Sequence, residues 1–101
     1  MPLEHFDHYN VVTRDAAESA KFYVDVLGLR IGDRPPFKFG GAWVYCGEQA
    51  VLHLVERDEI PDGTGRVDHV AFRCTGYGEL KGKLEAAGVE YSERVVPKFN
   101  L

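Results

Sequence analysis

Two Asp-His pairs, Asp7-His8 in "FDHYNVV" and Asp68-His69 in "VDHVAFR", open apolar runs that lie 61 positions apart in a chain of 101 residues. A third histidine, His53, interrupts "AVLHLVE". Imidazole titrates near neutrality, so it can accept a proton or offer a neutral nitrogen to a metal. Side chains alternate along a strand, which groups His8 with Asn10 and Val12 and sets Tyr9, Val11 and Thr13 on the other face. By the same rule His69 shares a face with Ala71 and Arg73, opposite Val70 and Phe72. His53 goes with Val51 and Val55, opposite Leu52 and Leu54. The bulky apolar sets belong under helices, which turns the three imidazoles toward the concavity of a curved sheet. A single strand histidine is ordinarily a half-buried structural residue. Two equivalent strands that keep His while most of their other residues differ ask for more than packing. His5 has no counterpart and is expected at an exposed start.

The elements that must carry these residues follow from periodicity. "HYNVVT", His8 to Thr13, is β-branched and aromatic and predicts a strand. Asp15 with Glu18 three residues on predicts a capped helix start, and Ala16, Ala20, Tyr23, Val24 and Leu27 recur at helical spacing up to Gly28. A strand over Leu29 to Asp33, a turn-rich "PPFKFGG", and a hairpin of "AWVYCG" and "AVLHLVE" joined at Gly47 and Glu48 come next. "RDEIPDGTGR", residues 57–66, is a linker. The order then restarts: a strand in "VDHVAFRC", a helix in "GYGELKGKLEAAG" with Leu80, Leu84 and Ala87 on one face, and a strand in "VEYSERVV". Gly78 and Gly82 each weaken that helix by up to ~1 kcal/mol relative to Ala.

The two halves are copies of one strand-helix-strand unit. The first copy continues through two more strands, whereas the second lacks about 15–25 residues, enough for two strands of common length. The expected organisation is therefore one domain over residues 1–101, with a first module at 5–56, the linker at 57–66 and a truncated second module at 67–101. An unpaired strand edge is expected near Glu90 to Val96, and an edge of that kind favours a homodimer.

Composition narrows the classes. Twelve Lys and Arg against 16 Asp and Glu leave a net charge of -4, and 45% of residues are hydrophobic. With no basic run to follow a phosphate backbone, no nucleic-acid partner is expected. No window approaches a membrane span and the first ten residues lack signal-peptide character, so the expectation is a cytoplasmic protein with no membrane partner. Cys46 and Cys74 sit in apolar runs and are expected to be reduced, packed thiols.

A strand opened by His, a helix closing with "FYVDVLGL", three strands, and the unit again with "DHVAFR" resembles the vicinal oxygen chelate superfamily of glyoxalases, bleomycin-resistance proteins and ring-cleaving dioxygenases. The resemblance covers essentially the whole chain. It implies an α+β fold of paired βαβββ modules forming a curved mixed sheet around a cleft, with the second module incomplete here. It also implies a divalent metal, Zn, Ni, Fe, Mn or Co, held by His8 and His69 from the first strand of each module and by His53 from the last strand of the first. A glutamate expected on the closing strand of the second module is absent, and glyoxalase-like members usually carry a carboxylate or Gln where His53 stands.

Such a centre would hold two adjacent substrate oxygens and stabilise negative charge developing on an enolate or alkoxide. His53 would be the third ligand or a general base beside the metal. Arg73 would steer an anionic small-molecule substrate, and otherwise is a surface strand residue paired with an acid. Trp43 and Tyr45 alternate with Val44 and would form an aromatic wall, or part of the core. The expected function is that of a metal-dependent lyase, isomerase, epimerase or dioxygenase acting on a small molecule with vicinal oxygens. The alternative is a metal-free binding protein of the bleomycin-resistance type.

Overall fold

The computed structural model describes residues 2–63 and 65–95. In chain order these form β1 (Tyr9–Thr13), α1 (Ala16–Asp25), β2 (Arg30–Gly32), β3 (Gly41–Cys46), β4 (Gln49–Glu56) and α2 (Tyr77–Ala86). The first module is a complete βαβββ unit. Its four strands make one mixed sheet in the order β1-β4-β3-β2, with β1 parallel to β4 and the other pairs antiparallel.

Helix α1 begins where the sequence places it. The Asp15 side chain accepts from the Glu18 amide at 3.0 Å, and Glu56 at the end of β4 accepts from the Ala16 amide at 2.9 Å. Two otherwise unpaired N–H groups at the positive helix end thus meet carboxylates, one of them delivered by the sheet. Gly28, at φ 76°, turns the chain out of the helix toward β2.

Alternation sends Leu52, Leu54 and Val44 to the face covered by α1, where all three are fully buried. Ala16 and Ala20 are the helix residues that meet them, and Tyr9, Val11, Tyr23 and Leu29 pack around the cluster. Alanine at these two positions lets the helix axis approach the sheet closely. Each fully buried Leu or Val contributes roughly 1.5–3 kcal/mol. The opposite face of the same strands is left for Asn10, His53 and Trp43, which lie across from one another in the strand register.

The second module departs from the sequence reading in its strands. Residues 67–74 and 89–95 form no strand, and Val67, Val70 and Phe72 are 60%, 46% and 44% exposed. An extended segment becomes a strand only when a neighbour takes its backbone groups. In the first module β4 does this for β1. Among the described residues nothing does it for 67–74. The unpaired strand edge expected near Glu90 to Val96 is not found at residues 90–95, which form no strand, and Val96 lies outside the described residues; among the described strands the outer ones are β1 and β2. Helix α2 forms, but none of its residues is buried. The 57–66 linker is exposed and irregular, Thr64 lying outside the described residues.

Both cysteines are exposed rather than packed. Cys46 is the last residue of β3, past the span that α1 covers, and Cys74 belongs to the segment that gains no strand partner.

Candidate functional site

His8 stands one residue before β1, and its position is set from two sides. Gln49, at the start of β4, donates to the carbonyls of Phe6 and Asp7 and so ties the segment leading into β1 to the sheet. Asp7 Oδ2 lies 2.7 Å from His8 Nδ1. A carboxylate can only accept, so Nδ1 carries the proton and the lone pair of the neutral ring is left on Nε2. The same hydrogen bond holds the Asp7 carboxyl below its usual range. Asp68 treats His69 identically, with Oδ2 2.8 Å from Nδ1.

The repeated Asp-His pair therefore has a local purpose. Each aspartate fixes the tautomer of the histidine that follows it, and in both modules the lone pair of the neutral ring is on Nε2, the atom that would act as base or ligand. This is the brace that metal-binding and proton-transferring histidines use.

His53 reaches His8 across the β1–β4 pair. The two rings stack with centroids 3.7 Å apart and planes inclined by 17°. On its other side His53 meets Trp43 of β3, centroid to centroid 4.0 Å and 4° from parallel. Burial between these rings lowers the pKa of His53, and the neighbouring His8 lowers it further. Neutral His53 is thus the favoured state beside His8. Phe37 continues the row with its ring 6.4 Å from that of Trp43, and Phe37 and Phe39 stack at 5.0 Å beneath the Arg34 guanidinium. Trp43 is consequently half-buried with a ring face closed by His53, rather than an open wall or a core residue. Tyr45 instead anchors the β2–β3 connection through its hydroxyl, which donates to the Asp33 carbonyl at 2.7 Å.

Of the sequence-predicted site residues, His8 and His53 are brought together. His69 is not on a strand adjacent to β1. Its segment is unpaired and its side chain is 76% exposed. Arg73 lines a cavity of about 360 Å³ with Cys46, Cys74, Glu79 and Lys83, a wall that includes none of the histidines. His5 is exposed as expected, 3.9 Å from Asp7. Gln49 went unassigned by sequence reasoning, and Trp43, read as an aromatic wall or part of the core, was not paired there with His53. The strand register was the signal for Trp43, since it lies directly opposite His53.

Among the described residues no group of three His, Cys, Asp or Glu side chains is placed to hold a metal ion. The His8–His53 pair has the right donor type but the wrong orientation. Imidazole lone pairs lie in the ring plane, and a bound ion sits ~2.0–2.1 Å from the nitrogen along that plane. With the rings stacked at 3.7 Å, an ion in the plane of one lies well outside the plane of the other. The arrangement does not fit a shared divalent ion.

The family follows from the βαβββ unit, its repeat, and comparison with known proteins. The profile of the Glyoxalase/Bleomycin resistance protein/Dioxygenase superfamily matches residues 5–100. The chain belongs to this superfamily. A curated relative, "Glyoxylase I 4" of Arabidopsis thaliana, is 33% identical over 101 residues, and the alignment takes in 93% of this chain and 58% of that protein. The chain thus spans less than two thirds of the relative's length. Among solved structures, the fosfomycin resistance protein FosX of Listeria monocytogenes superposes with a TM-score of 0.68 at 16% identity, covering 96% of this chain and 76% of that one. An integron cassette protein of V. cholerae does so with a TM-score of 0.64 at 20% identity, covering 95% and 77%. These likenesses establish the superfamily's α+β fold. No helix among the described residues is long and apolar enough to cross a membrane.

Proposed function

We propose that the protein is a small-molecule enzyme of this superfamily in which His8 is the reactive imidazole, acting on a compound with adjacent oxygens. The observation that carries the reading is the Asp7 brace, which engages Nδ1 of His8 and so puts the lone pair of the neutral ring on Nε2, the nitrogen remote from that carboxylate. A substrate proton next to a carbonyl or hydroxyl would pass to Nε2, and Asp7 would balance the resulting imidazolium. His53, kept neutral by burial and by His8, would not compete for that proton. The glyoxalase I homologue supports a substrate of this class.

A second reading, a divalent metal centre built from His8, His53 and His69, is favoured by the identical brace on His8 and His69, since a carboxylate on the remote nitrogen is the usual support of a metal-binding imidazole. It requires the stacked rings to part and His69 to approach them. A homodimer over an open sheet edge is part of the same proposal, and β1 offers such an edge.

The test is turnover of a panel of 2-oxoaldehyde hemithioacetals, catechols and epoxides by the protein and by its Asp7→Asn and His8→Gln variants, with and without a chelator. Loss in both variants regardless of chelator supports the proton-transfer reading. Loss on chelation alone supports the metal reading, and unchanged turnover in His8→Gln defeats both.

A further inference from the structure

We propose that Trp43 is the positioning residue of the imidazole pair, its indole holding His53 in a plane that bars one cation from reaching both histidines. The inference rests on the reading of His8, with neutral His53 stacked beside it, as the reactive imidazole.

Three rings stand in a row on the face opposite α1. Trp43 and His53 are directly opposed on the antiparallel β3–β4 pair, and His53 is opposed to Asn10 on β1, with His8 two positions earlier on the same face. Opposed side chains on neighbouring strands are close enough for ring faces to meet. The indole–imidazole contact is the more nearly parallel of the two, at 4° against 17° for the imidazole pair. It is also the better anchored, because Trp43 lies inside β3 and pairs across to Gly32 of β2, whereas His8 precedes its strand. Without a side chain, Gly32 leaves the space beside the β3 aromatics free. A Cβ there would come within 2.6 Å of the Tyr45 ring.

The direction of control therefore runs from Trp43 to His53 to His8. For both histidines to hold one ion, at least one ring must turn about its χ2 so that the two planes intersect at the ion. Turning His53 breaks its contact with the indole as well as with His8. Turning His8 alone breaks its stacking and strains its hydrogen bond to Asp7, whose 2.7 Å length leaves little freedom. Trp43 thereby adds an aromatic stacking free energy to the work of admitting a cation. It selects the proton-transfer geometry of the pair over the ligating one.

The experiment measures Zn²⁺ binding to the whole chain and to variants by calorimetry, alongside NMR of the histidine rings. Trp43→Leu should bind Zn²⁺ about two- to tenfold more tightly, the stacking contribution expressed as a ratio of constants. Trp43→Phe, which keeps a stacking face, should bind as the parent does. Adding His53→Gln to Trp43→Leu should abolish the gain. In the parent, the ring protons of His53 should lie upfield, shielded by the indole. Folded Trp43→Leu with unchanged affinity overturns the proposal, as does a gain that survives His53→Gln. Should Trp43→Leu fail to fold, the parent decides. Zn²⁺ coordinated by both His8 and His53 while His53 keeps its upfield shift overturns the inference, and loss of that shift on coordination supports it. None of these outcomes depends on turnover, so the catalytic role of His8 can fail separately.

Discussion

The Trp43 indole and the His53 imidazole lie face to face, 4.0 Å apart and within 4° of parallel, on directly opposed positions of β3 and β4. Aromatic pairs in such contact contribute about 0.5–1.5 kcal/mol beyond the area they bury. A double-mutant cycle built from Trp43→Leu, His53→Leu and their combination, followed by urea unfolding, should return a coupling energy in this range. A coupling indistinguishable from zero would mean that the contact contributes burial only.

Protonation of His53 should cost stability. Its pKa in the folded protein is lowered, first by burial and then by His8, while the unfolded chain titrates near the ordinary 6.5. The unfolded state therefore binds the proton more readily, and the folded state loses ground as pH falls. The contribution is complete above the unfolded value and disappears as pH falls from about 6.5 through the lower folded value. Thermal melts from pH 8 to pH 5 should show a decline in Tm over this window that is smaller in His53→Gln. An equal decline in both proteins would assign the pH dependence elsewhere.

What could be read from the sequence divides along the line between local and partnered structure. The Asp15 cap, the helix through Ala20, the Gly28 exit and the Gly47–Glu48 hairpin depend on near neighbours, and each appears where the residues place it. Alternation correctly sent Leu52 and Leu54 one way and His53 the other because β4 is paired on both sides. The same alternation in "VDHVAFRC" promised a strand that does not form, since the pattern records the faces a strand would have and not whether a neighbour exists to pair with it. The exposed cysteines fail for a related reason: an apolar run shows tolerance of burial, while burial itself depends on neighbours, α1 for Cys46 and a strand partner for Cys74. At the site, the recurrence of Asp before His was visible, but its meaning required the 2.7 and 2.8 Å contacts at Nδ1.

Core truncation should be severe in so small a module. Leu52 is fully buried between α1 and the sheet centre. Leu52→Ala should cost about 2–5 kcal/mol through lost burial and the cavity left behind. Against the 5–15 kcal/mol that stabilises a typical domain, this could empty the folded state at 37 °C. Amide exchange in β4 should accelerate toward the unfolded rate. A loss below about 1 kcal/mol would show that the site collapses freely around the smaller side chain.

The two glycines before and within β3 should differ in their tolerance of alanine. A Cβ on Gly41 would sit 2.3 Å from the backbone oxygen of Leu54, which cannot withdraw without breaking the β3–β4 pairing. A Cβ on Gly40 would instead meet the carboxyl of Glu56, at 1.8 Å from Oε1. That carboxyl can swing aside, but it then surrenders its 2.9 Å hydrogen bond to the Ala16 amide. Gly40→Ala should therefore cost about as much as losing a helix cap, ~1 kcal/mol, and Gly41→Ala more. Urea unfolding of both variants tests the order, and equal losses would show that β4 yields as easily as a side chain.

Gln49 offers a way to loosen His8 without touching either histidine. Its amide nitrogen donates to the Phe6 and Asp7 carbonyls, fastening an otherwise exposed segment to the beginning of β4. Gln49→Leu keeps the side-chain volume and removes both hydrogen bonds. At such an exposed position water can replace the lost partners, so global stability should fall by no more than about 1 kcal/mol. The local consequence is larger, because residues 6–8 would be free to leave the sheet and carry the Asp7–His8 pair away from His53. NMR should show the His53 ring losing its His8 neighbour while keeping the Trp43 shielding. Turnover, where present, should fall in Gln49→Leu, since the braced imidazole would no longer be held in one place. An unchanged His8–His53 contact in the variant would show that β1 alone is sufficient to set His8.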